Sequence, residues 1–589
     1  MRSHLSVVLL GLAALSCEEQ LTGPAPTLEL LPDPLYVCRA QLDTPVVITG
    51  THFTPLPFDV AGVAGLELPT LTLHRDRLLD GATSPLVSTE FSGRPEGKNA
   101  ALLSWQSESK MTVLVDDALA LAPGLHDLVA RDAAGREARL DDALVSVEAP
   151  SLAGISPGIT CLSQGPRTLA LGGKDFLSIG DTQPTVPIGP VEDPTRFETK
   201  MLSGCTDIAH PTSPGRVCTD ATIELARDSL APGVFDVGYD NPATAPCVSV
   251  GKIPLRVISP PKIVRADPPI ACPAEGPREV TLHGTGFLEI DGVVPAVTLT
   301  QPTGDAVALT VTGLSGDCEE LETFGHVVRR CEALAVVIPQ MERPLLDAPF
   351  LATFVVTNPE PAGCQDTSAT VLTLVPAPTL ATVTPPLVCN EQATNELVLT
   401  GTGLLSIDGV LPEVVIAGEV VRVNGLDQCE DVATDGRVVA RCTQARVTLP
   451  RALPMVAPGT FVAPPIRVTN PTPAGCSVET NGDLVATPAP VLLVAEPSIV
   501  CLADGSRTVT LTGSGLLDVA GTLPTVTLGG AAVTVAQLSD CVELPTENLV
   551  SRMCAEATVE LAQALVEPGT PGLSVENPRA RPAPRSTSC

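Results

Sequence analysis

Four cysteines recur in the same order four times along the chain, and this repeat most constrains the possible folds. The four sets are Cys161, Cys205, Cys218 and Cys247; Cys272, Cys318, Cys331 and Cys364; Cys389, Cys429, Cys442 and Cys476; and Cys501, Cys541, Cys554 and Cys589. In each set the second and third cysteines lie 13 positions apart. A period of roughly a hundred residues is much longer than one supersecondary unit, so it predicts tandem domains.

Composition favours β structure in these domains. The chain has 589 residues, which corresponds to about four or five domains of ordinary size. Its apolar fraction is 44%, but Phe, Tyr and Trp together number only 14, so the cores must consist of Val, Leu, Ile and Ala. With 59 Pro and 48 Gly interrupting short apolar runs, we expect many-stranded sandwiches rather than long helices.

The first residues resemble a bacterial lipoprotein signal. Arg2 precedes an apolar stretch from Leu5 to Leu15, and the run Ala14-Leu15-Ser16-Cys17 ends in cysteine. The resemblance implies a signal peptide over 1–16, a lipidated Cys17 and a tether over 17–25, so that a lipid anchor is the membrane partner. An ordinary secretory signal is the alternative. Both predict export, and no later run of eighteen apolar residues predicts a membrane span.

Export makes the cysteine repeat a predicted disulfide framework, because disulfides persist in oxidising compartments. Four cysteines per set allow three pairings. We predict that the second cysteine bonds the third and that the first bonds the fourth of the same set. Zinc is the weaker alternative, because the cysteines lack CxxC spacing and no histidine recurs beside them.

The repeats also align outside the cysteines. Prolines precede the first cysteine of each set, as at Pro157 and Pro497, and predict a kinked first strand. A strand of period two follows, which we expect to end at glycines, and a late strand carries Asn-Pro. The inward pairs predicted on the period-two strand are Val46 and Ile48, Leu169 and Leu171, Val280 and Leu282, Leu397 and Leu399, and Val509 and Leu511.

These elements resemble the IPT/TIG family of immunoglobulin-like domains. The likeness lies in the proline-bearing first strand, in strands such as Val280 to Phe287 with the glycines Gly284 and Gly286, and in the late Asn-Pro strand. It implies an all-β, disulfide-stapled array of about five immunoglobulin-like β-sandwich domains with roles in interaction or spacing. Proline clusters place the domains at 26–149, 150–260, 261–377, 378–489 and 490–589.

The first domain departs from the repeat. It carries only Cys38 and has a longer middle with His74, Trp105 and the polar stretch 88–110. Cys38 is then an odd thiol, which is either a buried remnant of the repeat or an intermolecular bridge. The longer middle is either a binding loop or a tolerated insertion.

The net charge and the short sequence motifs argue against several classes of function. A formal net charge of -32 argues against nucleic acid as a partner. Asp181, Asp291, Asp408 and Asp518 recur near the glycines and suggest either calcium or simple turns. The string Gly154 to Gly158 matches GxSxG, but Pro157 lacks the N–H that an oxyanion hole needs, so we interpret the match as chance. The seven histidines do not recur between repeats and are expected at the surface.

We therefore expect a protein without enzymatic activity, metal or cofactor in the bacterial cell envelope. It is expected as an outer-membrane lipoprotein at the surface or in the periplasm, with a protein or glycan ligand for binding or adhesion. Two alternatives are a structural spacer or assembly scaffold and an extracellular hydrolase. Saturable binding of a ligand would indicate the binding protein, and absence of such binding would indicate the spacer. Turnover of a substrate that one side-chain change abolishes would indicate the hydrolase.

Overall fold

The structure, a computed structural model, is almost entirely β. It describes residues 23–29, 31, 35–39, 43–60, 63–212, 214–301, 304–341, 346–389, 395–449, 464–481, 484–501, 505–546, 549–563 and 569–579. These residues form strands and three short 3₁₀ helices, Ala100–Leu102, Asp117–Leu119 and Pro273–Glu275. None of the helices in this part of the chain could cross a membrane. The prediction of an all-β tandem immunoglobulin-like array is confirmed.

The chain forms two compact units. Unit 1 contains Met1–Pro260 with Leu321–Val328 and Glu360–Cys364, and unit 2 contains Pro261–Glu320, Arg329–Pro359 and Gln365–Cys589. Five groups of strands, named domains 1 to 5 in chain order, each enclose an apolar core.

The strands of domains 1 and 2 lie in unit 1. Domain 1 comprises β1 (Thr27–Leu28), β2 (Tyr36–Cys38), β3 (Thr44–Thr51), β4 (Leu56–Val60), β5 (Val63–Glu67), β6 (Thr70–Arg77), β7 (Thr83–Phe91), β8 (Leu103–Ser107), β9 (Lys110–Val115), β10 (Gly124–Arg131) and β11 (Glu137–Val147). Domain 2 comprises β12 (Ser151–Ser156), β13 (Ile159–Thr160), β14 (Arg167–Ile179), β15 (Thr185–Ile188), β16 (Thr195–Ser203), β17 (Thr206–Ile208), β18 (Gly215–Leu225), β19 (Gly233–Val237) and β20 (Ile253–Val257).

Domains 3 to 5 repeat the pattern. Domain 3 comprises β21 (Lys262–Asp267), β22 (Ile270–Ala271), β23 (Arg278–Ile290), β24 (Ala296–Thr300), β25 (Ala306–Ser315), β26 (Glu319–Leu321), β27 (Val328–Ile338), β28 (Phe350–Thr357) and β29 (Gln365–Leu374). Domain 4 comprises β30 (Thr379–Thr384), β31 (Leu387–Cys389), β32 (Asn395–Ile407), β33 (Glu413–Ile416), β34 (Glu419–Val432), β35 (Val439–Leu449), β36 (Pro465–Thr469), β37 (Ser477–Asn481) and β38 (Val485–Thr487). Domain 5 comprises β39 (Val491–Glu496), β40 (Arg507–Val519), β41 (Thr525–Leu528), β42 (Ala531–Glu543), β43 (Ser551–Leu561) and β44 (Leu573–Glu576).

Each repeated domain is a two-sheet sandwich. In domain 2 the strand order is β12-β14-β18-β16-β15-β19-β20-β13. The first part of β16 pairs with β15 and its second part with β18, so this strand passes from one sheet to the other. Period-two burial fixes which face is inward: Leu169 and Leu171 are each 1% exposed, and all the inward pairs predicted from the sequence are buried.

The predicted kink in the first strand is confirmed. In domain 2 the chain leaves β12 at Ser156, passes Pro157 and continues as β13. Strand β12 pairs with β14, whereas β13 pairs with β20 in the other sheet. Proline cannot donate to a ladder, so it lies where the strand changes sheets.

The prediction that glycines end the second strand was wrong. Strand β32 runs through Gly401 and Gly403, and its register to β35 shifts between Thr400 and Leu404, which makes the segment a β-bulge. A Cβ atom on Gly401 would lie 1.8 Å from the carbonyl oxygen of Thr379 on β30. Glycine is needed here for close approach of the first strand, not for chain reversal.

Asn-Pro lies before the closing strand rather than within it, which corrects the sequence prediction. Asn470 follows β36 in domain 4, and β37 and β38 come after it. The Asn470 side chain accepts a hydrogen bond from Leu405 N at 2.9 Å and donates one to Gly403 O at 2.8 Å. The same two contacts to a bulge are made by Asn241, Asn358 and Asn577. The asparagine therefore clamps the bulge.

The longer middle of domain 1 is largely regular structure, with a loop at residues 92–99. Most of the stretch 88–110 is strand and 3₁₀ helix, in β7, β8 and β9. Trp105 packs against the domain core and donates to Phe53 O at 2.7 Å, and the His74 Nδ1 atom lies 2.7 Å from Ser88 Oγ. The extra residues thus extend the sheets of the sandwich.

Candidate functional site

The predicted bonds between second and third cysteines are confirmed. They are Cys205–Cys218, Cys318–Cys331, Cys429–Cys442 and Cys541–Cys554. In domains 4 and 5 the two cysteines stand directly opposite on adjacent antiparallel strands. Each bond therefore cross-links two neighbouring strands of one sheet.

The predicted bonds between first and fourth cysteines of the same set were wrong. The structure contains Cys161–Cys364 and Cys272–Cys476 instead, with Cα–Cα distances of 5.6 and 5.9 Å. In domain 2, Cys161 follows β13 next to the end of β20, whereas Cys247 precedes β20. First and fourth cysteines therefore lie at opposite ends of a domain, and the first cysteines Cys161 and Cys272 meet the fourth cysteine of the next domain.

Cys38 is neither a remnant nor an intermolecular bridge, because it bonds Cys247 with a Cα–Cα distance of 5.4 Å. No disulfide partner of Cys389 or Cys501 is found among the described residues, so the predicted bond of Cys389 to Cys476 was wrong, while that of Cys501 to Cys589 stays a prediction. Cys17 and Cys589 lie outside the described residues.

Apolar contacts accompany the bonds between domains. Around Cys38–Cys247 in unit 1, Tyr36 and Val145 of domain 1 pack with Leu177 and Ile208 of domain 2. Around Cys272–Cys476 in unit 2, Ile270 and Val375 pack with Leu405 and Ile407. Each joint is thus a small buried core with a disulfide, which holds adjacent domains together.

A polar groove lies beside the joint of domains 3 and 4 in unit 2. Two cavities of about 580 and 330 Å³ meet at Arg441 and Glu430, which form an ion pair. Further lining comes from Thr402, Gly403, Gln428 and Thr443 of domain 4 and from Asp347, Phe350 and Thr373 of domain 3. We name this surface the Arg441 groove.

The groove has a counterpart in domain 3. A cavity of about 330 Å³ is lined by Thr285, Gly286, Glu319, Arg330 and the disulfide Cys318–Cys331. Arg330 pairs with Glu319 across adjacent strands, as Arg441 does with Glu430. Repetition of threonine, bulge glycine, acid and arginine makes these two surfaces versions of one site.

Both surfaces present hydrogen-bonding groups to solvent. Arg441 presents a planar fork of donors, while hydroxyl, amide and carboxylate groups accept or donate around it. Exposed ion pairs contribute about 0–1 kcal/mol to stability, so Arg441 can exchange Glu430 for a ligand at small cost. Within the described ranges no three His, Cys, Asp or Glu side chains converge as metal ligands.

The recurrent aspartates form turns, as one of the two interpretations predicted. Asp291 and Gly292 have φ values of 52° and 81°, and Asp408 and Gly409 have 52° and 82°. Two successive positive φ angles define the tight turn that Asp-Gly favours. Asp408 also accepts from Val438 N at 3.0 Å, and Asp518 accepts from Gly521 N at 2.9 Å. The carboxylates of Asp408 and Asp518 also pair with Arg437 and Arg552. Asp181 is exposed in the turn between Ile179 and Thr182.

The GxSxG match does not form a nucleophile elbow, because Ser156 ends β12 and Pro157 leads into β13. Two of the described histidines depart from the surface prediction, since His210 is 8% exposed and His126 is buried further. His126 is 1% exposed, its Nε2 donates to Ala122 O at 2.8 Å, and no described group partners its Nδ1. Burial lowers the pKa of His126 to about 4.

No family model and no curated protein matches this sequence. Several solved structures do match. The N-terminal eight Ig domains of Down Syndrome Cell Adhesion Molecule are 10% identical over 92% of this chain and 68% of that one, with a TM-score of 0.14. The tetra-tandem repeat of a large adhesion protein is 12% identical over 77% and 96%, with a TM-score of 0.14. The SGBP-B protein of a Bacteroides ovatus mixed-linkage glucan utilization locus, solved with a heptasaccharide, is 10% identical over 73% and 97%, also at 0.14.

Sequence reasoning missed both arginines of the candidate site. Arg330 and Arg441 each immediately precede the third cysteine of their set, while Glu319 and Glu430 each follow the second. That shared spacing was a usable signal. It is absent from domains 2 and 5, where apolar residues or threonine stand at these positions, such as Val217 and Val542.

Proposed function

We propose that this chain is a lipid-anchored, non-catalytic protein of the bacterial cell envelope that binds a glycan or protein ligand through the Arg441 groove. Its domains belong to the IPT/TIG type in this proposal. The observation that carries it is the groove itself, a polar surface beside the stapled joint of domains 3 and 4 with a counterpart in domain 3.

Two further features support the location. The sequence up to Cys17 resembles a lipoprotein signal. The described residues form seven disulfides, three of which join one domain to the next, and this number fits an oxidising compartment outside the cytosol. The proposed location is the outer membrane, with the domains facing the surface or the periplasm.

Repetition supports binding over catalysis. Two similar sites on one anchored chain strengthen attachment to a repeating ligand without any new contact. Each site contains an arginine and a glutamate that form an ion pair, with threonine hydroxyl groups beside them and a glutamine amide in the Arg441 groove. These donors and acceptors match the hydrogen-bonding groups of a polar polymer.

The experiment measures binding of labelled polysaccharides and envelope proteins to washed membranes from cells that express the full chain. We expect saturable binding that Arg441→Ala weakens about tenfold, the effect of losing one central anchor. Arg437→Ala is the matched control, because Arg437 pairs with Asp408 in the same domain outside the groove. Cys17→Ser should remove the chain from the washed membranes.

A spacer is the second candidate, and the disulfides between domains favour it. Binding that never saturates with any probe, while the chain stays on the membranes, would support the spacer and reject the groove. Equal losses in Arg441→Ala and Arg437→Ala would also count against the groove. Wild-type-like membrane retention of Cys17→Ser would reject the lipid anchor.

A further inference from the structure

Most of the charged side chains that line the Arg441 groove are negative. Beside Arg441 the lining holds three carboxylates, Asp347, Glu430 and Asp431. The counterpart in domain 3 has the same ratio, with Arg330 beside Asp317, Glu319 and Glu332. The whole chain carries a formal net charge of -32. A ligand with phosphate, sulfate or carboxylate groups would therefore be repelled at both sites.

The ion pair at the centre of the groove holds donors and acceptors side by side. Glu430 on β34 lies directly opposite Arg441 on β35, and their side chains are 61% and 29% exposed. A guanidinium only donates and a carboxylate only accepts, so a ligand that bonds both must do both. A hydroxyl group has one donor and two acceptor lone pairs. Two neighbouring hydroxyls on one sugar ring can therefore bond both members of the pair.

An apolar side chain of a protein partner cannot make these bonds. If it covered Glu430 and Arg441, it would remove water from two charged groups without replacing their hydrogen bonds, which is unfavourable. Hydroxyl groups replace the bonds to water instead. The groove therefore favours a ligand rich in hydroxyls over a protein surface with an apolar centre.

One wall of the groove is apolar. Pro349, Phe350 and Leu351 of domain 3 line the cavity of about 330 Å³ that shares Glu430 and Arg441 with the cavity of about 580 Å³. Phe350 packs against the domain 3 core but is only half-buried. The C–H face of a sugar ring can cover this wall while its hydroxyls reach the ion pair. Both volumes lie within the range of about 300–1,000 Å³ that is typical of ligand sites.

We propose that the ligand of the Arg441 groove and of its domain 3 counterpart is an uncharged glycan. Its ring hydroxyls donate to Glu430 and accept from Arg441, and the apolar face of a neighbouring ring packs on Phe350. The inference rests on the binding function proposed for the groove and narrows the ligand to one chemical class.

The test applies the purified full chain in detergent to an array of neutral oligosaccharides, oligosaccharides with uronate or sulfate groups, and peptides. We expect saturable binding to neutral oligosaccharides alone. Their affinity should change less than about twofold between about 50 and about 500 mM sodium chloride, because the ligand brings no charge that salt could screen.

Glu430→Gln distinguishes the ligand classes by the sign of its effect. For an uncharged glycan it turns a charged acceptor into a weaker neutral one, so affinity should fall about fivefold. For an acidic ligand it removes a repelling carboxylate, so affinity should rise. Glu419→Gln is the matched control, because Glu419 begins β34 outside the groove. Both changes are made in an Arg330→Ala chain, which removes the domain 3 counterpart, and are compared with that chain.

The apolar wall is tested by one exchange at two positions of β28. Phe350→Leu keeps an apolar side chain on the core but removes the flat ring, so affinity should fall about fivefold. Phe354→Leu changes a fully buried ring outside the groove and should leave affinity unchanged.

The outcomes separate this inference from the proposed function. Saturable binding of an acidic oligosaccharide or a peptide that Arg441→Ala weakens would overturn the uncharged glycan but leave the groove as a binding site. A rise in affinity with Glu430→Gln, or equal effects of the two phenylalanine variants, would also overturn it. Absence of saturable binding to every probe would reject both.

Discussion

At the scale of single residues, His126 is the more deeply buried of two buried histidines among the described residues. His126 lies in β10 of domain 1 between Asp127 and the nearby Arg75, and its ring is closed off from water. The neutral imidazole has one N–H, at Nε2, and this group donates its hydrogen bond to the carbonyl oxygen of Ala122. Protonation would place a second N–H and a charge where the fold supplies no acceptor among the described residues.

Domain 1 is therefore expected to lose stability as pH falls from 6.5 to about 4. Over this range the unfolded chain protonates His126 while the folded chain, with its pKa lowered to about 4, does not. A difference of this size corresponds to about 3 kcal/mol. Trp105, the only tryptophan of the chain, lies in domain 1 and reports its urea unfolding by fluorescence.

The matched variants are His126→Gln and His74→Gln. The first should flatten the loss between pH 7.5 and pH 4.5, whereas the second leaves the buried imidazole in place and should retain it. A wild type and a His126→Gln variant that lose the same free energy of unfolding over this range would contradict the explanation.

At the scale of elements, period-two patterns predicted the strands well because burial alternates along them. Leu397 and Leu399 on β32 are inward, both at 0% exposure, as their spacing indicated. The bulge escaped prediction because its cause is a contact with a distant residue. The Gly403 carbonyl accepts a hydrogen bond from Asn470, which lies 67 positions later in the chain. The sequence shows that both residues recur in the repeats, but it does not show that they are in contact.

The clamp predicts a local stability change. Asn470→Ala leaves Leu405 N and Gly403 O without their side-chain partner inside domain 4, which should cost about 1–3 kcal/mol. Hydrogen exchange of the β32 amides, followed by mass spectrometry, measures this cost as faster opening. Asn424→Ala is the control, because Asn424 makes an exposed contact to Thr448 and its loss should change exchange little.

The clamp interpretation fails if both asparagine variants exchange alike in β32. It also fails if the acceleration in Asn470→Ala appears throughout domains 3 and 5, because a local clamp acts on its own bulge. The candidate groove was less predictable than the strands, since its arginines and glutamates meet only when β34 and β35 pair in the observed register.

At the scale of the whole molecule, the cysteine repeat predicted tandem domains but gave the wrong long bonds. A first cysteine is a similar number of residues after the start of every domain, so spacing alone cannot distinguish a bond within a domain from one to the next. The end of the sandwich at which each cysteine lies decides the pairing. That depends on the parallel pairing of β13 with β20, which the sequence pattern did not reveal.

The disulfide bonds between domains can be tested by cutting the chain, because such a bond keeps the two fragments covalently joined. Cys161–Cys364 closes a segment with a sequence separation of 203 residues, which on chain-entropy reasoning is worth about 5 kcal/mol to the folded joint. A protease site inserted between Pro260 and Pro261 cuts the chain inside this segment. The two fragments should stay together on a non-reducing gel and separate after reduction.

Two variants identify the bond responsible. Cys161→Ser should release the fragments without reductant, whereas Cys205→Ser removes the short bond of the same domain and should leave them joined. If the two fragments of the wild-type chain separate without reductant, the first and fourth cysteines must instead form bonds within one domain. Retention in the Cys161→Ser variant would point to a different bridge across the cut. The expected pattern, retention in wild type and Cys205→Ser only, follows from first cysteines that reach forward to the next domain.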